Sequence, residues 1–179
     1  MFVAEARAGK PEAWDRLFQR YQLPLYVYVF ELVRHEQESL DIVQETFISA
    51  VRHIGGLRED AKFAPWLFGI AHQKCVGIWR KQNRRAAFHE PEPVDPSEAD
   101  CLSEESDPSE TLIRAEQEQA FLALLEKLEP PHRSVLLLHF IEEFSLEQIA
   151  DVTGAQLGTV KSRMHYAKRA LKKLLEENQ

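Results

Sequence analysis

The segment from Ser145 to Leu175 restricts the possible folds more than any other stretch, because it has the pattern of a helix-turn-helix. Ser145 is a favourable N-cap, and Gln148 three residues later completes a capping box. Gly154 follows a short amphipathic helix and can adopt a positive φ, which ends a helix at little cost. The pattern therefore predicts a short helix, a tight turn and a second, longer helix.

The longer helix is predicted to bury one apolar stripe and to expose cations on its other faces. The stripe recurs at helical spacing and consists of Val160, Met164, Ala167, Leu171 and Leu174. The cations have no acid between them and are Lys161, Arg163, Lys168, Arg169, Lys172 and Lys173. A short helix docked on a long basic helix is the arrangement that enters the major groove of DNA. An ordinary solvated basic helix is the alternative, but the cap, the turn and the single sign of charge favour DNA binding.

The net charge of −7 is concentrated in one segment. Residues 86–111 contain nine acids and four prolines but no Lys or Arg. Such a segment buries too little apolar area to offset its chain entropy, so we expect a disordered acidic linker. Its acids could also cover the basic helices through opposite charge. The predicted fold is all-α, with two small helical domains, residues 1–85 and 112–179, on either side of the linker and a helix-turn-helix in the second.

Helical periodicity predicts four helices in the first domain, over about residues 11–21, 24–33, 39–54 and 64–85. The third helix is expected to turn Leu40, Val43, Phe47, Ala50 and Ile54 inward. A second face of that helix carries Asp41, Gln44, Glu45 and Ile48. This second face is either a protein-docking surface or a solvated face, and periodicity alone favours the solvated face.

The fourth helix carries a second cluster of cations without acids. The cluster surrounds Trp79 and consists of Lys74, Arg80, Lys81, Arg84 and Arg85. Cations interleaved with an aromatic side chain suit a nucleic-acid backbone with a base stacked alongside, although core packing is the more ordinary role of a lone tryptophan. In the second domain, helices are expected over about residues 112–128 and 132–141, before the helix-turn-helix.

Several function classes are disfavoured by the sequence. No apolar run is long enough to span a bilayer, and the first residues lack the apolar core of a signal peptide, so we expect a cytoplasmic protein without membrane insertion. Cys75 and Cys101 lack the spacing of metal ligands or of a disulfide framework, and His72 with Cys75 would supply too few ligands for zinc. We find no nucleophile–base pair, phosphate loop or metal cluster, which predicts neither an enzyme nor a cofactor.

Two motifs, in the right order on either side of the linker, carry a resemblance to a known family. The first is DIVQETF at residues 41–47, followed by a stretch with Phe63, Trp66, Leu67, Ile70, Ala71, Arg80 and Arg84. The second combines GTVKSR at residues 158–163 with Arg133, Val135, Leu136, Ser145, Glu147, Ile149, Ala150 and Gly154. With these motifs the chain resembles an extracytoplasmic-function (ECF) sigma factor of bacterial RNA polymerase.

The resemblance implies a dissociable factor that binds core polymerase, directs it to promoter DNA and is controlled by an anti-sigma partner. It implies polymerase docking by Asp41, Gln44, Glu45 and Ile48. It implies recognition and opening of the minus-ten element by Trp66, Gln73, Lys74, Trp79, Arg80, Lys81 and Arg84. It implies entry into the minus-thirty-five major groove by Thr159, Lys161, Ser162, Arg163, His165, Tyr166 and Arg169.

The sequence departs from the family pattern at two positions of the fourth helix, where Gln73 replaces a frequent Asn and Gly77 a frequent Asp. No base preference is therefore carried over.

The residues alone leave two other functions open. A stand-alone helix-turn-helix regulator would need a dimer surface and a palindromic site. A helical adaptor that binds only proteins would not need the two acid-free cation clusters.

Overall fold

The structure is a computed structural model that describes residues 2–86 and 122–177, and in these ranges the chain is helical with no strand. The helices are α1 (Phe2–Arg7), α2 (Pro11–Val33), α3 (Glu36–His53), α4 (Phe63–Ala86), α5 (Pro130–Phe140), α6 (Leu146–Thr153) and α7 (Leu157–Glu177). Residues 122–126 are also helical. Short 3-10 turns, Ile54–Gly56 and Asp60–Lys62, connect α3 to α4. The predicted all-α class is confirmed.

We call residues 2–86 the first unit and residues 122–177 the second unit. The predicted linker and most of the predicted helix over 112–128 lie outside the described residues, as does Cys101. The exact domain boundaries therefore stay a prediction.

Helix α2 runs without a break through Pro24, so the prediction of two separate helices over residues 11–33 was wrong. A proline inside a helix costs about 3 kcal/mol, because it has no N–H to donate and its ring crowds the preceding turn. Leu25, Tyr28 and Val29 follow it and are fully or nearly fully buried. Each such side chain contributes roughly 1.5–3 kcal/mol on burial, which is enough to keep the helix continuous.

The first unit packs α2, α3 and α4 around a shared core. Of the α3 positions predicted to face inward, Val43, Phe47, Ala50 and Ile54 are buried, but Leu40 is 46% exposed. Ile42 and Thr46 complete the buried face instead, since they lie at helical spacing with the other buried positions. The expectation for Leu40 was therefore wrong.

Helix α1 was not predicted from the sequence. It packs on α2 through the buried Ala6. The Arg7 Nη2 atom lies 2.6 Å from Asp60 Oδ1, which ties this short helix to the turn before α4.

The second unit has the predicted helix-turn-helix. The Ser145 hydroxyl accepts from the Gln148 N–H at 3.2 Å, and Gln148 Oε1 accepts from the Ser145 N–H at 2.9 Å. Gly154 ends α6 with φ 65°, the left-handed conformation that favours glycine. The apolar stripe of α7 is confirmed: Val160, Met164 and Ala167 are buried, and Leu171 and Leu174 pack on the core.

The two units are packed against each other. Phe68 of α4 and Phe144, which precedes α6, meet edge to face with ring centroids 5.4 Å apart. The Arg133 Nη1 atom of α5 donates to the Glu31 carbonyl oxygen of α2 at 2.6 Å. The described helices therefore share one continuous core.

Candidate nucleic-acid and protein interfaces

The outer face of α7 presents most of the side chains that the sequence predicted for the minus-thirty-five contact. The exposed residues are Thr159, Lys161, Ser162, His165, Tyr166 and Arg169. Arg163 is half-buried instead and lies near the first unit. Tyr166 is 57% exposed, so its ring and hydroxyl are accessible to a ligand. The face therefore combines an exposed tyrosine with cations on a helix held by the unit's core, while the Ser162 hydroxyl donates to the Gly158 carbonyl oxygen at 3.0 Å within that helix.

The cations of the α4 cluster differ in their surroundings. Lys74 Nζ lies 2.6 Å from Glu45 Oε2, so it links α4 to the predicted docking face of α3. Arg80 and Lys81 are exposed. Arg84 lies in the last part of α4.

Trp79 is held by packing in this conformation. Its Nε1–H donates to the Leu32 carbonyl oxygen at 3.0 Å, and its ring meets His72 edge to face with centroids 6.0 Å apart. These contacts support the packing role that a lone tryptophan ordinarily has. Trp66 is half-buried like Trp79, and Gln73 is exposed; both Trp66 and Gln73 line a cleft of about 410 Å³ on α4.

A buried hydrogen bond beneath α4 was missed by sequence reasoning. The Tyr28 hydroxyl and His72 Nδ1 are 2.8 Å apart, although the two residues are 44 positions apart in the chain. Burial lowers the pKa of His72 to about 4, and the charge of Arg163 acts in the same direction. The imidazole is therefore neutral at neutral pH and serves as a fixed polar link between α2 and α4.

The predicted docking face of α3 is exposed at all four positions, Asp41, Gln44, Glu45 and Ile48. Gln44 and Ile48 also line an apolar groove of about 840 Å³ between α2 and α3. The groove was not predicted, and it adds the side chains Phe18, Gln22, Leu23, Tyr26, Leu40, Val43, Phe47 and Val51.

A solvated helix face is mostly polar, whereas this side of α3 borders an apolar groove. Leu23 is 66% exposed and Val51 is 52% exposed, and both line this groove together with Leu40. Large contiguous apolar patches mark binding sites, whereas scattered exposed apolar residues do not. The sequence signal was the near-uniform apolar character of residues 23–30 in the second half of α2, which no single buried face accounts for.

Cys75 is fully buried, and burial raises the pKa of its thiol to about 12, so it is an inert core residue. Across the described part of the chain, no three His, Cys, Asp or Glu side chains are grouped so that they could hold a metal ion. No helix among the described residues combines the length and apolar character that crossing a bilayer requires.

Family models match both units. The model of sigma-70 region 2 matches residues 17–85, and the model of sigma-70 region 4 matches residues 118–173. The RNA polymerase sigma-H factor of Pseudomonas aeruginosa is 30% identical over 177 residues, which cover 97% of this chain and 92% of the relative. The ECF RNA polymerase sigma factor SigL of Mycobacterium tuberculosis is 30% identical over 98% of this chain and 96% of its own length.

Solved structures agree with these matches. CnrH, solved in complex with the cytosolic domain of CnrY, is similar with a TM-score of 0.69 and 25% identity, over 99% of this chain and 97% of that chain. The sigma factor RpoE of Bartonella quintana, solved with the anti-sigma factor NepR, has the same fold with a TM-score of 0.72, at 21% identity over 92% of this chain and 98% of that chain. From the matches over both units and nearly the full length, the chain belongs to the ECF sigma factors, the alternative sigma factors that bind core RNA polymerase and direct it to specific promoters.

Proposed function

We propose that the three functions of a sigma factor are divided among three helices of this chain. Helix α3 and its groove dock on core polymerase, α4 contacts the minus-ten element, and α7 enters the major groove of the minus-thirty-five element. The protein acts in the cytoplasm, where polymerase works, and it supplies binding energy and no covalent chemistry.

The observation that carries this proposal is the exposed face of α7 on a capped helix-turn-helix. The exposed Tyr166 hydroxyl can donate to a phosphate oxygen, and the Lys161 and Arg169 cations suit phosphates or guanine edges. The Ser162 hydroxyl donates to the Gly158 carbonyl oxygen within α7 at 3.0 Å and would have to turn to reach DNA. The buried Val160 holds α7 on the core of the unit, so the face of the helix that points to solvent is set before DNA arrives.

The groove beside α3 supports polymerase docking. Gln44 and Ile48 line the apolar groove, and the exposed carboxylates of Asp41 and Glu45 lie on the adjoining side of α3, which faces α4. An apolar contact with charged groups beside it is the arrangement of a protein interface with a polar rim. The partner surface should be basic and should insert apolar side chains into the groove.

Helix α4 is the remaining DNA-contacting element in the proposal. Trp66 offers a half-buried ring at the helix surface, and Gln73 offers an exposed amide. The nearby Lys81 charge would contact the phosphate backbone. Single-stranded DNA is the expected ligand here, because opening the minus-ten element exposes unpaired bases for stacking.

We also propose that an anti-sigma factor controls the protein. The support comes from the similar structures. CnrH, which is similar to this chain over nearly its full length, was solved with the cytosolic domain of CnrY, and RpoE was solved with the anti-sigma factor NepR.

The deciding experiment is transcription in vitro with purified core polymerase and a promoter library. The wild-type chain should produce defined start sites. Lys161→Ala should weaken promoter binding and leave polymerase binding intact, whereas Lys127→Ala, a matched exposed cation outside the helix-turn-helix, should change neither.

The docking surface is tested in the same assay. Replacing Asp41, Gln44 and Glu45 together by alanine should abolish polymerase binding, and Arg52→Ala at the end of the same helix is the control. If Lys161→Ala and the triple variant lost the same activity, the proposed division of labour would be wrong. Tight binding to duplex DNA without any polymerase-dependent initiation would indicate a stand-alone regulator.

A further inference from the structure

One ion pair joins the docking face of α3 to the cation cluster of α4. Lys74 Nζ lies 2.6 Å from Glu45 Oε2. Glu45 belongs to the face that the proposed function assigns to polymerase, whereas Lys74 belongs to the helix that it assigns to DNA. A carboxylate of one surface therefore holds a cation that the other surface would use.

The pair lies in a cleft of about 370 Å³ between α3 and α4. The charged residues that line this cleft are three acids of α3 and two lysines of α4, namely Glu38, Asp41, Glu45, Lys74 and Lys81. The Asp41 carboxylate accepts a hydrogen bond from Gln37 Nε2 at 3.1 Å, along its own helix. Glu45 is thus the acid of this wall that reaches across to Lys74.

The sequence of α4 explains why Lys74 takes its partner from another helix. Helix α4 contains neither Asp nor Glu. Gly77 occupies the position at which the sequence departs from the family's frequent Asp. An acid there would lie three residues after Lys74 and four before Lys81, which are the spacings at which side chains of one helix pair. With glycine at this position, Lys74 is left to Glu45.

The surroundings of the pair allow Lys74 to change partner. The Lys74 side chain is 30% exposed and the Glu45 side chain is 63% exposed, so neither is locked in a core. A Cβ atom built on Gly77 would have nothing within 4 Å beyond the backbone of its own helix. The Lys74 ammonium therefore has open space beside it, on the side towards Lys81.

We propose that Glu45 competes with the DNA backbone for Lys74 and thereby sets how strongly α4 holds single-stranded DNA. Exposed ion pairs favour the paired form by a factor of about two to five, so a phosphate can take Lys74 from Glu45 only at that cost in affinity. The proposal rests on the assignment of α4 to the minus-ten element. It adds that an acid of the docking face acts directly on the DNA contact.

The first test asks whether Glu45 holds Lys74 in solution. Lysines of the full chain are labelled with an amine-reactive reagent, and labelling at each position is read by mass spectrometry. Glu45→Gln should raise the labelling of Lys74 relative to Lys81 by about two- to fivefold, whereas Glu38→Gln should leave the ratio unchanged. An unchanged ratio in Glu45→Gln would overturn the proposal, because Lys74 would then be free in the wild type.

The second test is a double-mutant cycle in the affinity for a labelled random-sequence single-stranded DNA, measured at low salt. A Lys161→Ala, Arg169→Ala background limits the contribution of α7. Glu45→Gln should tighten binding by about two- to fivefold. In Lys74→Met the same change should do no more than Glu38→Gln, which removes an equal charge from the cleft. A gain that persists in Lys74→Met would mean that Glu45 merely repels DNA, and the competition would be refuted.

A third variant restores the competition from another position. In the Glu45→Gln protein, Gly77→Asp should return DNA affinity to about the wild-type value, because the new carboxylate lies within reach of Lys74. Gly77→Asn has nearly the same shape without the charge and should leave the affinity high. Equal affinities of the two variants would show that a carboxylate beside Lys74 does not compete with DNA.

The final test uses polymerase. Because linked binding is reciprocal, a basic group of polymerase seated on Glu45 should free Lys74 for DNA. Lys74→Met should then weaken holoenzyme binding to a pre-opened promoter by a larger factor than it weakens binding of the free chain to single-stranded DNA. Equal factors would refute this release. Failure of the wild-type chain to initiate with core polymerase would instead refute the proposed function, and the double-mutant cycle of the free chain would still stand.

Discussion

Replacing Arg133 by methionine should destabilise the protein more than any other single substitution of a charged residue in the second unit. The guanidinium donates to three backbone carbonyl oxygens, those of Glu31 at 2.6 Å, Glu126 at 2.7 Å and Leu128 at 3.0 Å. Two of these bonds hold the start of α5 to the preceding segment, and the third crosses to α2. Methionine keeps most of the apolar volume and removes all three donors.

The expected magnitude follows from these bonds. A hydrogen bond from a charged group contributes about 1.5–3 kcal/mol to the free energy of unfolding, so three such bonds together contribute at most roughly 5–9 kcal/mol. Burying the charge opposes this gain: desolvation and the charge of Arg34 lower the pKa of Arg133, and its Nε atom has no partner. Removing one member of a buried charged network typically costs about 3–5 kcal/mol, and we expect a loss in that range.

The assay is urea unfolding followed by circular dichroism, with Arg52→Met on the surface of α3 as the matched control. The control should change the free energy of unfolding by less than about 0.5 kcal/mol, as surface substitutions do. A loss below about 1 kcal/mol for Arg133→Met would refute the reasoning, because the three carbonyl groups would then be hydrated in the native protein.

Three further predictions concern single side chains. Burial raises the pKa of Glu142 to about 7, above its unfolded value of about 4.5, so the free energy of unfolding should fall as pH rises from about 4.5 to about 7. In Glu142→Gln this fall should be absent from unfolding curves recorded over the same pH range. Ser145→Ala removes the hydroxyl that caps α6 at the Gln148 N–H and should cost about 1 kcal/mol in thermal unfolding, whereas an undiminished melting temperature would show that the cap is dispensable. Lys161→Ala should reduce the slope of log affinity against log salt for holoenzyme binding to promoter DNA by about 1, and an unchanged slope would mean that Lys161 meets no phosphate.

The helix-turn-helix was predictable because its signals are local. The cap at Ser145, the glycine at 154 and the apolar stripe of α7 all lie within one segment, and each specifies the same structure independently. The structure of a segment can be predicted from sequence when its cap, its turn and its periodicity agree. The exposed face of α7 then followed from the stripe, except at Arg163, which is not on the stripe but is half-buried near the first unit.

The features that were missed depend on residues far apart in the chain. Pro24 predicted a helix start by its local preference, and only the packing of Leu25, Tyr28 and Val29 against other helices overrides that preference. The Tyr28–His72 hydrogen bond joins positions that no local pattern relates. The contact of Gly69 with Val152 is of the same kind, because an isolated glycine in a helical pattern does not say which backbone approaches it.

The incorrect expectation for Leu40 reveals how α3 combines folding with docking. Leu40, Gln44, Ile48 and Val51 recur at intervals of four, four and three, which is a second helical stripe beside the buried one. Periodicity reports that a face is apolar, but it does not report whether the same chain covers it. In the folded protein the first stripe is buried by α2 and α4, while the second remains exposed over the groove. The chain itself covers one stripe of α3 and leaves the other, which is apolar except at Gln44, exposed. A partner that covers the exposed stripe is the best explanation of this pattern.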